Sequence, residues 1–254
     1  MDMIRKKISF VILTWKRSKM LKICLEELIN SIHDKSNSEI IIFDNASNDD
    51  TESVILEFIE KYKNIIDIQF HISKENLRLK AYKQLFKMAT GDIVVEVDDD
   101  VLAYPSHIDE IFIKYFNTFK KFGFLALDVI QNEHTNGAKP DLSYYNEVAI
   151  DNLIVQKGPT GGWCAGFRAR DFRKISWIFN LLPLSMKLGE DGALQNLFRL
   201  IGKKSGIIKD QKCFHAAGPF YSKQFKQLER DIEKYKVSGL TQFVDEYGKV
   251  KNEN

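Results

Sequence analysis

The chain has little cysteine: Cys24, Cys164 and Cys213 are the three in 254 residues. They are too few and too scattered for a disulfide framework, and no pair has C-x-x-C spacing, so a reducing compartment fits. Charge of one sign is not in excess either. Thirty-seven Lys and Arg stand against 35 Asp and Glu, a formal net charge of +2. That balance argues against a dedicated nucleic-acid binder, which carries a strong basic excess on one face. No stretch reaches the roughly 20 apolar residues that a spanning helix needs. The start, MDMIRKK followed by ISFVILTW, imitates a secretion signal only loosely. Its apolar run is about eight residues, rich in β-branched types, and leads into Lys16-Arg17 without a small-residue cleavage site. The expected location is cytoplasmic, with contact to the inner face of a membrane left open. Neither an internal repeat nor a low-complexity linker is present, so a single domain is the economical expectation.

What the chain does have is apolar material for a core, at 44% hydrophobic and 12% aromatic residues. A chain of this length buries roughly 70–75% of its unfolded surface. Ile8–Thr14 is a continuous apolar run of strand length, the pattern of a strand covered on both faces. Ser18 is placed to cap a helix carrying Leu21, Cys24, Leu25, Leu28 and Ile32 at helical spacing. A second buried strand follows over 39–43, then a helix opened by Asp49-Asp50-Thr51, an alternating strand over 66–72, a helix over 77–89 and a strand over 93–97. Strands separated by helices predict β-α-β units and a mostly parallel sheet. The second half is less regular. It predicts a helix over 108–121, a strand over 123–130, a polar loop over 131–145 containing Asn136-Gly137, helices over 171–182 and 191–201, and a charged helical stretch past Phe225.

The clearest chemical signal is Glu96-Val97-Asp98-Asp99-Asp100-Val101, three adjacent aspartates closing a buried strand. In open α/β sheets ligands bind beyond the carboxyl ends of the strands. Three carboxylates there repel one another unless a cation neutralises them. Alternation along the strand turns Asp98 and Asp100 toward one site and Asp99 elsewhere. Hard oxygen ligands with no Cys or His beside them suit magnesium or manganese, which bridge to substrate phosphates. The plain alternative is a solvated acidic turn that caps the next helix.

Four other segments carry candidate residues. The run from Asp44 through Asn45, Ser47 and Asp49 to Thr51 joins a strand to a helix, where short polar side chains cap the helix or bind a heterocycle and ribose. It is not a calcium loop, because Ala46 takes a ligand position and the glycine is missing. Gly189-Glu190-Asp191-Gly192 opens a helix. Acidic residues suit a helix N-terminus through its dipole, or one of them accepts a proton from a hydroxyl. Gly158 to Gly166 holds four glycines around Trp163, which either lets a backbone approach a ligand and offers a sugar ring an apolar face, or is a tight turn over a buried Trp. His215 is a structural histidine or a metal ligand.

In order, FVILTWKR, EIIIFDNASNDDT, ATGDIVVEVDDDV, GGWCAGFRARDF, GEDGALQNLFRLIGKKSGI and CFHAAG resemble the family 2 glycosyltransferases of GT-A fold, over about residues 8–222. The resemblance implies an α/β fold with a Rossmann-like central sheet flanked by helices. It implies a catalytic domain over 1–222, of which 1–101 binds the nucleotide-sugar and 102–222 the acceptor, with a helical tail over 223–254. Thr14, Asp44, Asn45 and Ser47 fall where the family contacts base and ribose. Asp98 and Asp100 fall at the ends of its D-x-D motif, which holds the diphosphate through manganese or magnesium, with Asp99 between them. His215 matches a histidine that completes the metal site in some members. Asp191 matches the catalytic base, with Glu190, Gly162 and Trp163 on the acceptor side. Arg17 and Lys80 are placed to add positive charge near the diphosphate.

There are departures. The helix start is ENLRLKAYKQ, where members often carry glycines, and the first strand ends Leu13-Thr14-Trp15-Lys16. The implied activity is transfer of a sugar, with inversion, from a nucleoside diphosphate (UDP favoured) to a glycan or lipid-linked hydroxyl in cell-surface polysaccharide or glycoconjugate synthesis. Two alternatives stay open: a sugar-1-phosphate nucleotidylyltransferase, and a non-catalytic nucleotide- or carbohydrate-binding module. The basic C-terminal stretch from Lys203 either lies on anionic lipid, or packs over the catalytic domain or against a second copy in a homodimer.

Overall fold

The computed structural model describes residues 7–135 and 139–252; Asn136-Gly137 lies outside them. The first half follows the predicted alternation: β1 (Ile8–Thr14), α1 (Ser18–Ser31), β2 (Ser38–Asp44), α2 (Thr51–Tyr62), β3 (Asp67–Ile72), α3 (Tyr82–Met88) and β4 (Ile93–Asp98). A 3-10 turn over Arg78–Ala81 replaces the first turn of the helix expected there. Strands β1 and β2 pair parallel from Ile8 with Ser38 to Thr14 with Asp44, and β4 lies parallel on the other side of β1. Their apolar runs are buried on both faces because α1 covers one side with Leu21, Cys24, Leu25 and Leu28. Ser18 does not cap α1. Arg17 holds the cap position, and no side chain bonds there. Lys16 turns through φ 51° just before it, carrying its own N–H to Ser47 Oγ at 2.8 Å.

The second half contains β5 (Val101–Ala103), α4 (Ile108–Thr118), β6 (Phe122–Val129), β7 (Asn146–Ile150), β8 (Leu153–Lys157), β9 (Cys164–Arg168), α5 (Ala169–Phe172), α6 (Ser176–Leu181), α7 (Glu190–Leu200), β10 (Lys204–His215), α8 (Pro219–Gln224), α9 (Leu228–Val237) and α10 (Thr241–Asn252). Strand order is β3-β2-β1-β4-β9-β6-β10-β8-β7, with β5 paired to β10. The sheet turns mixed at β9, which runs antiparallel to both β4 and β6.

Three strands here escape the periodic pattern, each for a physical reason. The β7–β8 hairpin is largely exposed and turns on Asp151-Asn152, both at positive φ, so it shows no apolar alternation. Strand β9 hides inside the glycine-rich segment. A Cβ on Gly166 would stand 3.1 Å from Val95 and 3.2 Å from Phe112, so close packing there favours glycine. Strand β10 is charged and broken by a register shift between Ile208 and Lys212. The helix predicted over 171–182 breaks into α5 and α6. No helix among the described residues is long and apolar enough to cross a membrane.

The architecture sets four things at one end of the sheet: the carboxyl ends of β1, β2 and β4, the end of β10, the N-terminus of α7, and the C-terminal helices. Strand β10 delivers His215 opposite Val101, and the Asp100 carbonyl accepts from Ala216 N–H at 2.9 Å. The stretch past Phe225 packs inward, with Tyr247 buried and Asp231 2% exposed.

Candidate active site

Strand β4 ends on Asp98, and the turn to β5 presents Asp99 and Asp100. Asp98 and Asp100 face His215 while Asp99 turns to Thr14 of β1, the expected division, made here by the turn and not by strand alternation. His215 Nε2 lies 3.0 Å from Asp100 Oδ1 and 3.5 Å from Asp98 Oδ2. Asp99 accepts from the Thr14 hydroxyl at 2.8 Å and from Arg17 at 2.9 Å. Arg17 also reaches Asp100 at 2.5 Å and Asp231 of α9 at 3.2 Å. Burial raises the Asp100 carboxyl, but Arg17 and His215 outweigh it and hold it well below the usual carboxylate range. Asp98 is less compensated. Burial pushes it up to about 6 against the pull of His215, and Asp100 and Asp99 push the same way. His215 loses basicity by burial but gains more from Asp100, so its pKa is raised.

Ligand atoms of Asp98, Asp100 and His215 all lie within 4.8 Å of one another. Two carboxylates and one imidazole form an oxygen-dominated donor set, and Asp98, with 35% of its side chain exposed, carries the charge that a cation would neutralise. The residues present fit a divalent ion of the magnesium or manganese type.

A second carboxyl group gathers where α7 begins. Glu190 and Asp191 fill its first turn after Gly189, and Asp191 Oδ1 accepts from Gly192 N–H at 2.6 Å. A Cβ on Gly162 would stand 2.7 Å from Glu96 Oε1 and 3.3 Å from Glu190 Oε1. Only glycine lets these two carboxyls converge there. Both carboxyl oxygens of Glu96 are buried without a hydrogen-bond partner among the described residues. Burial, then Glu190 and Asp191, push Glu96 well above its ordinary value. Burial and Asp191 push Glu190 to about 8. Asp191 is raised by burial but held down by the Gly192 and Gly162 N–H groups.

A cavity of about 600 Å³ opens over β1, β2 and β4. Thr14, Arg17, Asn45, Ser47, Asp98, Asp99, Asp100 and His215 line it, as the sequence placed them. Asn45 also has an internal partner, and the remaining candidates stand outside the cavity lining. Asp44 is buried below the loop, accepting from Ser47 N–H and Oγ at 3.1 and 2.5 Å. Asn45 braces the 76–81 segment, accepting from Leu77 N–H at 2.8 Å. Lys80 is exposed and Arg78 lines the cavity instead. Trp163 is 4% exposed and donates its indole N–H to the Leu127 carbonyl at 2.9 Å. At that burial it presents no open ring face to a sugar. Glu190, Asp191 and Gly162 are not among the lining residues; the segment that leads into Gly189 sends Met186 into the cavity.

Sequence reasoning missed Glu96, Arg230, Asp231 and Lys234. An acid in the middle of the buried run Ile-Val-Val-Glu-Val was a readable signal for Glu96. The other three look like ordinary charges of a solvated helix. In the fold, Arg230 donates to the Trp15 carbonyl at 2.9 and 3.0 Å, and Asp231 binds Arg17, Arg230 and the Ser222 hydroxyl. Burial opposes ionisation of Asp231, but the two arginines lower it to about 2.

The chain is similar to known proteins in sequence and in fold. The family model described as "Glycosyl transferase family 2" matches residues 9–176. The chain is 28% identical over 216 residues to a poly(ribitol-phosphate) beta-glucosyltransferase of Bacillus spizizenii, covering 82% of this chain and 32% of that protein. It is 34% identical over 88 residues to a Methanococcus voltae dolichyl N-acetyl-alpha-D-glucosaminyl phosphate 3-beta-D-2,3-diacetamido-2,3-dideoxy-beta-D-glucuronosyltransferase, covering 35% of this chain and 27% of that one. The chain thus spans about a third or less of these curated relatives.

Among solved structures, the mannosyltransferase PcManGT of Pyrobaculum calidifontis, determined with GDP-Man and Mn²⁺, superposes with a TM-score of 0.64 at 14% identity, over 90% of this chain and 65% of that one. S. aureus TarS 1–349 with UDP-GlcNAc gives 0.63 at 14% identity, over 97% and 72%. The fold is GT-A, and the chain belongs to glycosyl transferase family 2.

Proposed function

We propose that the chain is a glycosyltransferase that moves a sugar from a nucleoside-diphosphate donor to an acceptor hydroxyl with inversion. The observation that carries this reading is the joining of two carboxyl groups at one end of the sheet: the Asp98, Asp100 and His215 set beside the cavity, and the Glu190–Asp191 turn next to it. Asn45 and Ser47 offer polar groups to the nucleoside. Asp98, Asp100 and His215 would hold the divalent ion, which when bound supplies positive charge to the departing diphosphate. Asp191 takes the proton of the acceptor hydroxyl as that oxygen attacks the anomeric carbon and the bond to the diphosphate oxygen breaks. Burial raises Glu96 and lifts Glu190 to about 8, whereas Asp191 is held down by the Gly192 and Gly162 N–H groups; Asp191 is therefore the candidate base, and with one candidate base single displacement is the simpler scheme.

The ligands named for the solved neighbours, GDP-Man, UDP and UDP-GlcNAc, support a nucleotide-sugar donor, with UDP the favoured nucleotide. The acceptors named for the curated relatives, a poly(ribitol-phosphate) and a dolichyl-phosphate glycan, support a glycan or lipid-linked acceptor in surface-polymer synthesis. The test is donor hydrolysis across UDP-, GDP-, dTDP- and CMP-sugars with manganese or magnesium. Release of nucleotide from one donor, abolished by chelation, is the expected result. If none of the four is hydrolysed and none of their nucleotides binds, the proposal is wrong.

A further inference from the structure

We propose that α9 supplies the cation that meets the donor's diphosphate: the Lys234 ammonium faces the leaving group across the cavity from Asp98, Asp100 and His215. The inference rests on the reading of this cavity as a nucleotide-sugar site. It goes beyond the family match, which ends at residue 176.

The argument starts from the charge the site must carry. A diphosphate leaving a sugar develops negative charge that needs positive groups already in place. Of the cations lining the cavity, Arg17 is committed to Asp99, Asp100 and Asp231. Arg230 is committed to the Trp15 carbonyl and to Asp231. Lys16 and Arg78 sit in the segments tied by their backbones to Ser47 and Asn45 of the β2 loop, and the Lys16 ammonium lies 5.1 Å from the centre of the Trp15 ring. Lys234 also lines the cavity, and among the described residues its ammonium makes no ion pair or hydrogen bond. It lies 5.5 Å from the centre of the Tyr235 ring.

Position and electrostatics agree. Lys234 follows Arg230 by four residues, so the two share one face of α9. The Arg17–Asp231 pair pins that helix to the start of α1. The Lys234 charge is felt by Asp98, Asp100 and Glu190, each of which it lowers. Burial depresses the lysine, and repulsion from Arg230 and Arg17 adds to it. A cation held in that setting, without a partner of its own, is suited to an anionic ligand that arrives from outside.

Calorimetry on the full chain tests this. UDP, GDP, CDP and dTDP with manganese first identify the nucleoside diphosphate that binds, and its nucleoside is titrated beside it. In Lys234→Gln the diphosphate should bind about 10–100-fold more weakly, the range of one charge-assisted hydrogen bond. Nucleoside affinity should be unchanged, which also shows that the variant site is folded. Lys234→Arg should recover part of the loss. Equal affinities in wild type and Lys234→Gln, or parallel losses for nucleoside and diphosphate, would overturn the assignment of Lys234. Failure of the wild-type protein to bind any of the four would instead remove the donor-site reading, and this inference with it.

Discussion

Two groups of carboxyls crowd the same end of the sheet, and they have opposite surroundings. Asp99 and Asp100 are met by Arg17, and Asp98 and Asp100 by His215. Glu96, Glu190 and Asp191 have one another and backbone N–H groups, but no cation within ion-pair distance among the described residues. The first group is met by positive charge and suits a metal. The second is raised by burial, and Asp191, which backbone N–H groups hold down, suits proton transfer. Residue type alone would not separate the roles, since all six side chains are carboxylic acids; their neighbours do.

The largest expected effect tests the second group. Asp191→Ala should retain its fold, by circular dichroism, yet lose turnover by about 10²–10⁴-fold, the usual share of a positioned base. Unchanged kcat with the true acceptor would move the base elsewhere. On the metal side, Asp98→Asn should weaken manganese binding, read by calorimetry, by at least the roughly 10–100-fold that outer-shell changes cause. Equal manganese affinity would break the contrast between the groups.

Arg17→Gln should destabilise the metal-free protein by about 3–5 kcal/mol, because it strands buried carboxylates. Added manganese should restore part of that loss, by about 2.7 kcal/mol at a hundred times its Kd. Denaturant melts with and without the ion check both halves. A smaller effect, about 1–3 kcal/mol, is expected for Gly162→Ala, where a methyl must push apart Glu96 and Glu190.

The pH dependence is the subtlest test. Glu190 has an ordinary value of 4.5 and a folded value of about 8. Between them the folded chain holds a proton that the unfolded chain has lost, so this contribution to stability is complete below about 4.5 and disappears as pH rises through about 8. Glu190→Gln should flatten the stability profile across that window in pH-dependent melts. An unchanged profile would mean that Glu190 is not the proton-holding carboxyl.

Much of this was legible along the chain. The runs at β1, β2 and β4 are continuous and apolar because both faces are covered, so local pattern and tertiary burial gave the same answer there. Asp98, Asp100 and Asp191 were recognisable because each ends or opens a regular element, where a carboxylate is conspicuous. Trp163 was left open between a ring offered to a sugar and a buried Trp, since a glycine-rich segment says nothing about where an indole points; the fold buries it. Arg78 lines the cavity and Lys80 does not, in a 3-10 turn whose side-chain directions differ from those of the α-turn that periodicity implies.

From order and spacing alone came the alternating elements, the layered α/β architecture and the chemical character of each motif, because these depend on neighbours a few residues apart. The pairing of Arg17 with Asp231, the convergence of Glu96 and Glu190 on Gly162, and the turning of Lys234 into the cavity needed the folded chain. Those contacts join residues tens to hundreds of positions apart, and their energies depend on burial and local field, which no stretch of chain carries within itself.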